Sequence, residues 1–84
     1  MTDQEFDVLD ELYFVTSFEE LSEAVGMKED ELFLVLKALL EKKWIKCYQN
    51  HSEELLAHEV DINQYYQAYS YLATKAGLLV HNGR

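Results

Sequence analysis

Eighty-four residues carrying a net charge of −9 make one small domain, which buries only about 60% of the surface its unfolded chain exposes, so a single modest core is expected. A hydrophobic fraction of 49% with 13% aromatics and no proline excludes a disordered tail and points to an ordered, mainly helical chain. No apolar run approaches the length of a membrane span, no basic apolar leader is present, and the single cysteine, Cys47, excludes an internal disulfide; a cytoplasmic protein with Cys47 as a small buried apolar residue is expected.

Thr2 or Asp3 can cap a first helix over residues 4–14, in which Phe6, Leu9, Leu12 and Tyr13 share a face and Asp7, Asp10 and Glu11 lie off it. Phe14 and Val15 then lead directly into Thr16 and Ser17, leaving room for a very short strand. Ser17 with Glu20 three residues later is a capping box, so a second helix is predicted over 18–25. Phe18, Leu21, Ala24 and Val25 form its inner face, while Glu19, Glu20 and Glu23 form the outer one. Gly26 ends it in the left-handed conformation, and so short a link forces a sharp bend into a third helix over 29–43.

That third helix turns Leu32, Phe33, Val35, Leu36, Leu39 and Leu40 into one broad apolar arc. Outside the arc stand Asp30, Glu31, Leu34, Lys37, Ala38 and Glu41, the face that a DNA-binding helix-turn-helix would set in the major groove. Residues 44–49 are rich in strand formers and Gln49 to Ser52 read as a turn. From Glu53 to Gln67 the alternation of Leu56, His58, Val60 and Ile62 with Ala57, Glu59 and Asp61 predicts an extended arm, although Leu55 and Leu56 after Ser52 could equally open a turn of helix. A returning strand over 68–73 and a short helix over 75–81 capped by Thr74 close the chain, with Asn82, Gly83 and Arg84 expected to fray. The predicted fold is mainly α with a small β-hairpin wing: a three-helix core, a two-stranded antiparallel wing with an extended arm, and a short C-terminal helix.

Two segments carry a resemblance. Leu36, Leu39, Leu40, Glu41, Lys42, Lys43, Trp44 and Ile45, followed by Tyr71, Leu72, Ala73, Thr74, Lys75, Ala76, Gly77 and Leu78, resemble the winged-helix transcriptional regulators, including the MarR and TrmB-like groups. In those families a Leu-x-x-Leu recognition helix runs through a Gly-aromatic-Ile turn into the wing, and Leu-Thr-x-x-Gly opens the closing helix. Lys43 stands here where the turn glycine is usual, and the arm is longer than a minimal wing. The resemblance implies duplex-DNA binding, typically by a dimer, with the recognition helix in the major groove.

Charge opposes that implication. Residues 1–31 hold eleven acids against Lys28 alone, and between Cys47 and Thr74 there is no Lys or Arg, while Glu53, Glu54, Glu59 and Asp61 are present. Duplex affinity comes largely from phosphate neutralisation, so carboxylates at Glu29, Asp30 and Glu31 work against it, even if they also stabilise the helix N-terminus. The expectation is therefore a non-enzymatic module acting through a protein partner or a homodimer, with no cofactor and no membrane. The alternative is direct DNA binding by the helix face of Asp30, Leu34, Lys37, Ala38 and Glu41, with Lys42, Lys43 and Lys46 on phosphate. Tyr65, Tyr66 and Tyr69, with Tyr71 beyond, suggest an aromatic interface patch. Cys47, Glu54, His51 and His58 are too loosely spaced for a metal site, and no Ser and His pair stands at a recognisable catalytic spacing.

Overall fold

The computed structural model describes residues 1–83, so Arg84 lies outside the described residues. The first helix, α1 (Asp3–Asp10), opens on a reciprocal cap in which Thr2 Oγ1 accepts the Glu5 amide at 3.0 Å and Glu5 Oε1 accepts the Thr2 amide at 2.9 Å. It ends four residues short of the predicted position because the Leu12 carbonyl accepts the Ala73 amide at 2.9 Å, tying the chain to the sheet. A two-residue strand, β1 (Thr16–Ser17), follows and runs directly into α2 (Phe18–Val25), whose Ser17–Glu20 capping box is formed as the sequence requires. Gly26 sits at φ 67°, the left-handed geometry that turns the chain into α3 (Glu29–Glu41).

The end of α3 explains the missing turn glycine. The Trp44 amide donates to the Leu39 carbonyl and the Lys43 amide to the Leu40 carbonyl, both at 3.0 Å, which is a Schellman termination with Lys43 in the left-handed position at φ 62°. Lysine adopts the geometry for which glycine is usual, at a steric cost of about 1 kcal/mol.

The described residues hold one sheet of four antiparallel strands in the order β1-β4-β2-β3, in place of the expected two-stranded wing. The central pair, β2 (Ile45–Gln49) and β4 (Tyr69–Ala73), runs from Ile45 opposite Ala73 to Gln49 opposite Tyr69; β1 flanks β4, and β3 (Glu53–Glu54) flanks β2. Asn50 and His51 both have positive φ and reverse the chain between β2 and β3.

The arm between β3 and β4 is not extended. It forms a short 3-10 turn over Ala57–Glu59 and the single-turn helix α4 (Ile62–Tyr65). Two carboxylates cause this: Glu59 accepts the Leu56 amide at 2.8 Å and Asp61 accepts the Gln64 amide at 3.3 Å, each closing a turn where the apolar alternation alone suggested a strand. Val60 and Ile62 still face the core.

The last helix, α5 (Lys75–Asn82), is capped by Thr74, whose hydroxyl accepts the Gly77 amide at 3.1 Å and donates to the Lys43 carbonyl at 2.8 Å. Asn82, expected to lie beyond the helix, is its last residue, and its side-chain oxygen accepts the Tyr13 hydroxyl at 2.8 Å. Val8, Leu9 and Leu12 of the α1 region, Leu21, Leu32, Leu36 and Leu39 of α2 and α3, and Cys47 and Tyr71 of the sheet are fully buried, so helices and sheet share one core. The described residues form a mixed α/β domain of five helices and one four-stranded sheet, rather than the mainly α fold with a three-helix core that was expected, because the short strands before α2 and after β2 join the central pair.

Candidate interaction face

The apolar arc of α3 is inward, with Leu32, Val35, Leu36 and Leu39 buried and Phe33 and Leu40 half-buried. Its opposite ridge carries the predicted residues Asp30, Leu34, Ala38 and Glu41, with Leu34 63% exposed. A cleft lies on each side of the ridge. Toward α1, a cleft of about 360 Å³ is lined by Glu31, Leu34, Val35, Ala38 and Lys42 from α3 and its cap and by Thr2, Gln4 and Glu5 from the other wall. Toward the arm, a smaller one of about 250 Å³ lies between Lys37, Leu40 and Glu41 and the arm residues Ala57, Val60 and Ile62. The helical arm therefore flanks the part of α3 that would face a DNA groove. Lys37 is half-buried there, its ammonium 5.9 Å from the Phe33 ring centre.

The three lysines expected to meet phosphate differ in their surroundings. Lys42 Nζ donates to Glu5 Oε2 at 2.6 Å, and Glu5 is only 3% exposed. Burial alone pushes the Glu5 carboxyl up, but the Lys42 ammonium and the Thr2 amide and hydroxyl outweigh it and hold it below the ordinary carboxylate value. Lys46 Nζ donates to Glu54 Oε1 at 3.0 Å, and the Tyr48 hydroxyl donates to the same oxygen at 3.3 Å. The Glu54 hydrogen bond raises the Lys46 ammonium above its usual value, while Lys46 lowers the Glu54 carboxyl. Lys43 is exposed and has no ion pair among the described residues.

The expected tyrosine patch is not assembled. Tyr69 is buried and accepts the Asp61 amide on its hydroxyl at 3.0 Å. Tyr66 is half-buried, its ring 5.2 Å from Phe18 and 4.8 Å from Phe33 between centroids, and its hydroxyl donates to Glu29 at 2.8 Å. That bond holds the Tyr66 phenol above its ordinary pKa. Tyr71 is fully buried and donates to the Tyr66 carbonyl at 2.7 Å, leaving Tyr65 alone as an exposed ring of the set. A core this small is completed by rings because the chain supplies few other large apolar groups near the sheet, and the helical arm seats Tyr66 against α2 and α3.

Two polar constellations escape sequence reasoning because their members lie far apart in the chain. The first is a chain from Ser70 Oγ to His51 Nδ1 at 2.8 Å and from His51 Nε2 to Glu20 Oε1 at 3.4 Å, the residue types of a serine-hydrolase relay with the two ring nitrogens exchanged. Ser70, however, is 3% exposed between β1 and β2, and Glu20 already accepts the Ser17 amide and hydroxyl at 3.2 and 2.9 Å. The three residues tie the β2–β3 turn to the start of α2. The second is His81, stacked on Phe6 with ring centres 4.3 Å apart and hydrogen-bonded through Nδ1 to the Tyr13 hydroxyl at 2.9 Å. Its Nε2 lies 3.2 Å from Asp10 Oδ1 but off the line of a hydrogen bond.

No family model, characterised protein or solved structure matches this chain.

Among the described residues, no group of three or more His, Cys, Asp or Glu is placed to hold a metal ion, and no helix is long and apolar enough to cross a membrane. His51 instead faces Ser70 and Glu20, and Cys47 lies inside the sheet with its thiol pushed up to about 12 by burial. What the surface offers chemically is a shallow apolar ridge with carboxylates at both ends: Asp30 and Glu31 before Leu34, and Glu41 two turns after it.

Proposed function

We propose that the chain is a non-enzymatic, cytoplasmic winged-helix module of transcriptional-regulator type, in which the outer face of α3 docks a protein rather than reading duplex DNA. The sharp α2-turn-α3 pair, the antiparallel β2/β4 pair behind it and the Thr74-capped closing helix support the winged-helix reading. The observation that carries the choice of partner is the pairing of Lys42 with Glu5 and of Lys46 with Glu54. A phosphate that recruited Lys42 would leave a buried carboxylate without its cation, and one that recruited Lys46 would compete with Glu54 beside it. Lys28, Lys43 and the half-buried Lys37 remain on and beside α3 against Glu29, Asp30, Glu31 and Glu41, too little cationic surface for counterion-driven affinity.

The test is fluorescence anisotropy of a labelled mixed-sequence duplex titrated with the chain at low and at physiological salt, with the oligomeric state recorded on the same sample. No saturable binding at either salt is expected. Binding that weakens steeply with added salt would establish the DNA reading instead, with Leu34, Lys37, Ala38 and Glu41 lining the groove.

A further inference from the structure

We infer that the cleft between α1 and α3 receives an amphipathic helix from a partner protein, with an apolar stripe seated on Leu34 and a lysine- or arginine-rich flank facing the carboxylates around it. This deepens, and rests on, the reading of α3 as a protein-docking face. The α3 wall of the cleft is apolar, formed by Leu34, Val35 and Ala38, and the small side chain of Ala38 lets a second helix backbone approach closely. A helix laid in such a groove reads it through anchors spaced three and four residues apart.

Charge selects the sign of the occupant. Glu31 lines the cleft and Asp30 lies beside it on the turn before Leu34, while Glu41, two turns after Leu34, lies across the ridge at the edge of the other cleft; all three are exposed. The nearby cation, Lys42, is neutralised by Glu5 at 2.6 Å. Residues 1–31, which contribute α1 and the start of α3, net −10. A second copy of the chain would bring −9 against −9, so self-association through this face meets like-charge repulsion, whereas a cationic helix is attracted and steered. An extended partner has no comparable template, since the two edge strands, β1 and β3, are two residues long each.

The experiment uses the full chain and three labelled peptides of about 15 residues: a Leu/Lys peptide with apolar residues at i, i+3, i+4 and i+7, a scrambled peptide of the same composition, and a Leu/Glu peptide with the same stripe. Affinities are read by anisotropy at low and physiological salt. The striped cationic peptide is expected to bind at least tenfold more tightly than either control. Leu34→Asp is decisive because it adds a negative charge while removing the apolar anchor. It is expected to weaken binding at least tenfold, with the far-UV circular dichroism spectrum unchanged because Leu34 is exposed. Ala38→Gln, which crowds the α3 wall, is expected to do the same.

Equal affinity for the scrambled peptide, or unchanged or tighter binding by Leu34→Asp, would show plain charge attraction and overturn the inference. Preference for the Leu/Glu peptide would overturn it as well. Duplex DNA titrated in parallel separates the two levels: binding of DNA removes the protein-docking reading itself, whereas absence of binding by both DNA and the cationic peptide removes only the basic helix.

Discussion

Glu5→Gln isolates the interaction that sets the behaviour of the basic corner. The glutamine keeps an oxygen for the Thr2 amide but loses the charge partner of Lys42 at 2.6 Å. Breaking a fully buried ion pair costs about 3–5 kcal/mol, and an exposed one about 0–1. Glu5 is nearly buried, but the Lys42 side chain is 42% exposed and can hydrate once released, so the expected loss is about 1.5 kcal/mol. With a urea dependence of about 1 kcal/mol/M for a chain of this size, the midpoint should fall by about 1.5 M. A double-mutant cycle with Lys42→Met, followed by circular dichroism at pH 7, should return a coupling of similar size.

The acid dependence has a definite sign. The folded Glu5 carboxyl lies below its ordinary value of 4.5, so its contribution is complete above that value and is lost as the pH falls through the depressed folded one. The gap between wild type and Glu5→Gln should therefore be constant near neutrality and close in strong acid. Residual acid sensitivity in the variant comes from Glu20, lowered chiefly by its bonds from Ser17, and from Glu54, lowered chiefly by Lys46. A variant within about 0.3 kcal/mol of wild type at pH 7, or a gap that does not narrow in acid, would refute the reasoning.

Gly77→Ala should destabilise by about 2–3 kcal/mol, since an added Cβ would stand 2.1 Å from the Trp44 carbonyl oxygen, and this backbone contact cannot swing aside despite the helix propensity gained. Gly26→Ala, where no atom lies within 4 Å of an added Cβ, should cost only about 1 kcal/mol through its positive φ, and urea melts of the two should rank them in that order. Tyr13→Phe removes the hydroxyl shared by His81 and Asn82 and should cost about 1 kcal/mol in the same assay, with α5 amides exchanging faster in deuterium. Cys47, with its thiol pushed up to about 12, should react with iodoacetamide at pH 8 roughly a thousandfold more slowly in the folded chain than in urea. A folded rate matching the unfolded one would contradict its burial.

The α2-turn-α3 pair was legible because its signals are local: the Ser17–Glu20 box, Gly26 and the apolar period of α3 all act within a few residues. Of the face that this period left outside the arc, Asp30, Leu34 and Glu41 are exposed, while Lys37 and Ala38 are half-buried. What escaped depends on residues distant in the chain. The ion pair of Glu5 depends on Lys42, 37 positions away, and no helical period marks the carboxylate as inward. The arm misled for a different reason. Val60 and Ile62 alternate as in a strand, yet the turn-forming carboxylates of Glu59 and Asp61 govern the backbone while still turning those two side chains inward. The tyrosines misled through composition, since rings typical of interfaces serve here to fill the space between α2, α3 and the sheet.

The most direct measurement is an amide-resolved NMR titration of the isotopically labelled chain with a mixed-sequence duplex at physiological salt. If α3 is a protein-docking face whose corner lysines are held by Glu5 and Glu54, the amides from Asp30 to Glu41 should stay in place as duplex is added. Saturable shifts confined to those amides and to Lys42, Lys43 and Lys46 would contradict that assignment and make α3 a DNA-reading helix.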